Sequence, residues 1–213
     1  MSTENIEVFE QNSIRITDRL GRIYIDSFQM REEPHDAAYV LITHDHYDHF
    51  SPDDIKKVSN GKSVLIVPVN MLETAKKAAL PVGRICEVEP GKAYNIDGLE
   101  FETVPAYNNL KPFHPKSAGW VGYIVNIDGK RIYIAGDTDL TKENKAVKCD
   151  IALVPVGGTY TMDAKKAAEL VNVIQPETAI PTHYGSIVGE EADAEAFAAN
   201  TDSRIEVCII KQY

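Results

Sequence analysis

Tyr39-Val40-Leu41-Ile42-Thr43-His44-Asp45-His46-Tyr47-Asp48-His49 reads as an apolar strand that runs into a hexapeptide holding three of the chain's six histidines. On extended backbone, residues two apart share a face, so His44 and His46 project side by side from the strand end. The chain must then turn before Ser51-Pro52-Asp53-Asp54, which has the chemistry of a helix start: a hydroxyl cap followed by proline at the first helical position. Asp48 and His49 fall in that turn and point to a neighbouring position. One hexapeptide can therefore furnish two adjacent cation positions, and its imidazole and carboxylate donors suit zinc, manganese, iron or nickel. A loop rich in histidine by accident is the alternative, but H-x-H-x-D-H is far more specific than a lone H-x-H.

Two segments farther along also end strand-like runs in donors. Ile132-Tyr133-Ile134-Ala135-Gly136-Asp137 delivers a carboxylate, and Ala179-Ile180-Pro181-Thr182-His183 delivers an imidazole. Singly, Asp137 reads equally well as a turn aspartate and His183 as a core histidine. Beside the hexapeptide, they read as further ligands.

Around these segments the chain alternates short apolar runs with turn chemistry. Strands are expected at 14–17, 22–26, 39–43, 63–68, 84–89, 99–106, 122–127, 131–136, 151–156, 178–183 and 205–210. Asp128-Gly129 is a strong hairpin signal, Asp97-Gly98 precedes another strand, and Asp18-Arg19-Leu20-Gly21 is consistent with a third hairpin. The first third thus reads as largely antiparallel sheet. Helices are expected from Ser51, over 70–79, over 162–175 and over 190–200. In the third, Ala164, Ala167, Ala168, Val171 and Ile174 form one apolar stripe, and Pro176 lies just beyond it. The pattern predicts one domain, 1–213, of two sheets packed face to face with helices outside. Residues 107–119 have no period of their own and read as a functional loop.

Composition bounds the rest. The 213 residues are 44% hydrophobic and 25% charged, ordinary values for one globular core. No run of eighteen apolar residues and no basic-then-apolar leader is present, so the expectation is a cytoplasmic protein without a membrane partner. A net charge of −10 argues against nucleic acid as partner, which needs clustered Lys and Arg. The three cysteines, Cys86, Cys149 and Cys208, are scattered and read as buried small hydrophobes rather than a disulfide framework. A homo-oligomer is left open.

The order H-x-H-x-D-H, then Gly-Asp at a strand end, then a strand-terminal Pro-x-His, resembles the metallo-β-lactamase superfamily over nearly the whole chain. Ile25-Asp26, Thr103-Val104-Pro105-Ala106, Tyr133 to Asp139 and Val156 to Asp163 resemble its compact prokaryotic branch of ascorbate-6-phosphate lactonase-like proteins. The resemblance implies an α+β fold, the four-layer αββα sandwich. It implies one metal on His44 and His46, another on Asp48, His49 and His183, and Asp137 bridging them. Relatives usually carry a histidine after the Val-Pro-Ala segment, where this chain reads Ala106-Tyr107-Asn108. His114, on the same loop, is taken as its replacement, and His35 is assigned to the surface.

The function expected is that of a metal-dependent hydrolase with one or two divalent ions, zinc foremost. Metal coordination lowers the pKa of water from about 15.7 toward about 7, giving hydroxide at neutral pH for attack on an ester-type bond, a lactone or a phosphodiester. Asp48 and Asp137 would orient the nucleophile and handle its proton. Tyr107, Asn108, Lys111 and Tyr184 are the expected contacts to a small-molecule substrate, with Lys111 and Lys116 suited to an anionic one. The competing reading is a di-iron redox or metal-dependent binding protein on the same fold. Di-iron relatives usually carry a carboxylate at the place of His46 and an attached flavin domain.

Overall fold

The computed structural model describes residues 3–210. These fall into two compact units, 3–89 and Pro90–Ile210.

The first unit is built on a six-stranded sheet with its strands in sequence order. Strands β1 (Ile6–Val8), β2 (Ile14–Asp18) and β3 (Gly21–Ile25) pair antiparallel, joined by the hairpin expected at 18–21. Strands β4 (Ala37–Leu41), β5 (Val64–Pro68) and β6 (Arg84–Val88) then continue from β3 in parallel. The mostly antiparallel sheet expected for this third is thus half parallel. The reason is connectivity: residues 26–36 lead from β3 to β4, and helices α1 (Pro52–Val58) and α2 (Leu72–Lys77) fill the crossovers that follow, so each strand restarts at the same edge. Helix α1 begins as its sequence predicts, with the Ser51 hydroxyl accepting from the Asp54 amide at 3.4 Å and Pro52 in the first turn. Its Ile55 and Val58 are buried with Val40, Ile42, Leu65 and Val67 in one core.

The second unit carries a seven-stranded sheet. Its strands are β7 (Ala93–Ile96), β8 (Leu99–Pro105), β9 (Val121–Ile127), β10 (Lys130–Ile134), β11 (Ile151–Pro155), β12 (Thr178–Thr182) and β13 (Glu206–Val207). From β7 to β10 the pairing is antiparallel, through the Asp97-Gly98 and Asp128-Gly129 turns; from β10 to β13 it is parallel. Helix α3 (Ala164–Ile174) is capped by Asp163, whose carboxylate accepts from Lys166 N–H at 2.9 Å, and α4 (Glu191–Asn200) opens with a Glu190–Asp193 capping box. All five residues of the predicted α3 stripe are buried against Ala152, Val154, Val156 and Ala179.

This topology sets where loops gather. Because β8 and β10 flank β9 antiparallel, and β11 and β12 run parallel to β10, the C-terminal ends of β8, β10, β11 and β12 share one edge of the second sheet. In the first sheet the C-terminal ends of β3 and β4 are likewise neighbours, tied by Asp26 N–H to Leu41 O at 3.0 Å. Carboxyl edges of parallel strands are where such sheets place their ligands. The three cysteines are unpaired as expected, but half-buried rather than buried. Among the described residues, no helix is long and apolar enough to cross a membrane.

Candidate metal-binding clusters

In the first unit, β4 delivers Thr43 and His44 into the core, and a tight turn brings the rest of the hexapeptide back over them, with His49 and Phe50 amides donating to His46 O at 3.0 and 2.8 Å. His44, Asp48 and His49 are buried and His46 half-buried. The imidazole rings of His44 and His49 lie 3.9 Å apart, and His44 Nε2 stands 3.1 Å from His46 Nδ1. Two donors each about 2.0–2.1 Å from a tetrahedral zinc are about 3.3 Å apart, so the spacing fits convergence on one cation.

Asp26 orders this cluster. It is fully buried at the end of β3, in a left-handed conformation (φ 47°) that non-glycine residues rarely adopt. Its carboxylate accepts from Asn12 Nδ2 at 2.7 Å, Thr43 N at 2.8 Å and Thr43 Oγ1 at 2.6 Å, and pairs with His49 Nδ1 at 2.7 Å. Since Thr43 gives its one hydroxyl proton to Asp26, its oxygen accepts from His44 Nδ1 at 3.0 Å. Both rings are thereby held with the proton on Nδ1 and the Nε2 lone pair available to a metal. The donor set therefore fits a divalent cation. Asp26 appeared in the sequence only as part of the branch resemblance, and Asn12 and Thr43 went unnoticed; an aspartate just past an apolar strand was the one available signal.

In the second unit, Asp137 follows β10 through Gly136, and His183 follows β12; both are buried, as is His114 in the loop after β8. His114 and His183 have left-handed backbones (φ 57° and 58°). Asp137 turns one oxygen to each: Oδ2 is 3.3 Å from His114 Nε2, and Oδ1 is 3.3 Å from His183 Nε2. His114 is gripped from behind by Asn108, whose amide nitrogen lies 3.2 Å from His114 Nδ1 and donates to Tyr160 O at 2.7 Å, while its backbone N–H donates to His114 O at 2.8 Å. Gly157, after β11, admits no side chain, because a Cβ there would lie 2.3 Å from His183 O.

The residues expected to touch substrate all lie on these loops, yet three of them have polar atoms already engaged. Asn108 is buried on His114. The Lys111 ammonium donates to the carbonyls of Gly158 (2.6 Å) and Thr161, and burial lowers its pKa. The Tyr107 hydroxyl donates to Glu143 at 2.7 Å, with the Lys116 ammonium 4.7 Å above its ring and 2.6 Å from Glu143. Burial raises the Tyr107 pKa and Glu143 raises it further, so the phenol stays protonated. Tyr184 is buried beside His183, and burial raises its pKa too. His35 is exposed, as assigned.

The sequence model of the beta-lactamase superfamily domain matches residues 5–183, a span that includes every candidate ligand. A UPF0173 metal-dependent hydrolase of Pyrococcus abyssi is 32% identical over 187 residues, covering 84% of this chain and 81% of that protein. Another, from Thermococcus onnurineus, is 30% identical over 204 residues, covering 89% of each. A crystal structure of a Parabacteroides distasonis protein matches with a TM-score of 0.79 at 30% identity, over 98% of this chain and 93% of that one. The fold is accordingly the metallo-β-lactamase fold. The chain belongs to the beta-lactamase superfamily and, within it, to the metal-dependent hydrolases.

Proposed function

We propose that this enzyme hydrolyses an ester-type bond, a lactone or a phosphodiester, with one or two divalent cations held by the candidate ligands. His44, His46 and His114 would hold one position, Asp48, His49 and His183 the other, and Asp137 would serve both. A bound cation of this kind supplies Lewis acidity and a water acidic enough to be nucleophilic near neutral pH, zinc being the best fit to the donor set. Asp48 and Asp137 orient the attacking water, and one of them carries its proton to the leaving group. Asp26 and Asn108 act through other residues, holding His49 and His114 in register. The observation that carries the reading is Asp137, whose two oxygens face two different histidines as a shared carboxylate must.

The test is native metal analysis of the wild type, His49→Ala, His183→Ala and the double variant, followed by a panel of chromogenic esters, lactones and phosphodiesters. Each single variant is expected to lose about one equivalent of metal and at least a hundredfold in kcat/KM, and the double to lose no further metal than either single. Full metal content in His49→Ala would remove it from the ligand set. Losses that add in the double variant would mean that the two histidines serve separate ions.

A further inference from the structure

Five large apolar side chains of the second unit are exposed, and three of them lie on the loops that carry its candidate ligands. Leu110 is 96% exposed and Phe113 44% on the loop of His114, and Ile187 is 40% exposed four residues beyond His183. These loops form a continuous rim at the carboxyl edge of the sheet. The Phe113 ring meets Tyr160 edge-on at 4.9 Å, the Lys111 ammonium binds Gly158 O, and the Gly157 backbone packs on that of His183 and Gly189. The segments 107–119, 157–163 and 183–189 contain two cations, Lys111 and Lys116. Lys111 is taken up by backbone carbonyls and Lys116 by Glu143.

A charged group seated there would find apolar surface and cations already committed elsewhere, and leaving a charge uncompensated is costly. An alkyl or aryl group would cover surface that otherwise faces water. We infer that the part of the substrate beyond the scissile bond is apolar and uncharged, an alkyl or aryl group rather than a phosphorylated one, seated against Leu110, Phe113, Tyr160 and Ile187. This rests on the hydrolase reading above and specifies the group that its substrate carries.

Trp120, the chain's one tryptophan, lies edge-on to His114 at 5.3 Å and reports binding without turnover. Its fluorescence should change saturably with N-hexylpyrrolidinone, a neutral lactam that resists hydrolysis, and stay unchanged with glycerol phosphate. Leu110→Ser and Phe113→Ser should each weaken lactam binding about tenfold without altering the thermal midpoint. In turnover, an alkyl-substituted γ-lactone should exceed unsubstituted γ-butyrolactone in kcat/KM. Lactam binding indifferent to both substitutions, or glycerol phosphate bound as tightly, would overturn the inference and leave hydrolysis intact. Lactam binding without turnover of any ester, lactone or phosphodiester would support the rim and overturn the ester-type reading instead.

Discussion

The two candidate clusters hold similar donors by different means. In the first unit the four donors lie on six consecutive residues, and one buried carboxylate, Asp26, orients two of their rings directly and through Thr43. In the second unit the three donors come from three loops separated by strands, and the loop of His114 alone takes several anchors: Asn108 on His114, Lys111 on the carbonyls of Gly158 and Thr161, and the Tyr107–Glu143–Lys116 set along the loop. A contiguous motif can be ordered by a single buried charge. A dispersed one is ordered by many weaker contacts, and tolerates loss of any one of them better.

Asp26→Ala should therefore have the largest effect. It strands the donors of Asn12, Thr43 and His49 in a dry interior, a loss on the order of 3 kcal/mol in chemical denaturation, with metal affinity reduced about ten- to hundredfold. Asp26→Asn, which keeps the shape, should fall between this variant and wild type. A destabilisation under about 1 kcal/mol for Asp26→Ala would break the contrast. Asn108→Ala removes a neutral amide and should cost about 1–2 kcal/mol, with faster amide exchange confined to 107–119. Exchange spreading through the whole second unit would show that this anchor matters as Asp26 does.

The smallest effect is expected at Glu143. Burial alone would raise its pKa from 4.5, but hydrogen bonds from Lys116 and Tyr107 outweigh it and hold the group at about 2. A depressed carboxylate stabilises fully above its unfolded pKa and loses that contribution as pH falls toward the folded value. Protection of the amides in 107–119, taken relative to their intrinsic exchange rate at each pH, should thus fall as pH drops from about 4.5 toward 2. Glu143→Gln should already show faster exchange at neutral pH and lack the acid step; an unchanged acid step would assign it to another carboxylate.

How much of this was readable in the chain follows the same division. His44 to His49 stood out because three histidines and Asp48 fall within six residues, although β4 ends at Leu41 and His44 and His46 lie in the bend beyond it rather than on extended strand. Asp137 and His183 were legible as donors terminating apolar runs, and the α3 stripe from its period. Asp26 was harder, since its partners Asn12 and His49 lie 14 and 23 residues away. Strands 6–8 and 93–96 escaped notice, being too short to show a clear alternation. The parallel half of the first sheet was missed because hairpin turns announce themselves by Asp-Gly pairs, whereas crossovers carry no comparable local mark.

The family, the donor types and the strand ends that bear them were determined by local chemistry along the chain: apolar periodicity, turn residues and a six-residue run with four candidate ligands. Which proton each histidine keeps, which lysine is already occupied and which loop side chains have their polar atoms engaged were decided only in three dimensions. Those properties depend on hydrogen bonds between residues far apart in sequence, and the burial that gives such bonds their strength exists only once the sheets have formed.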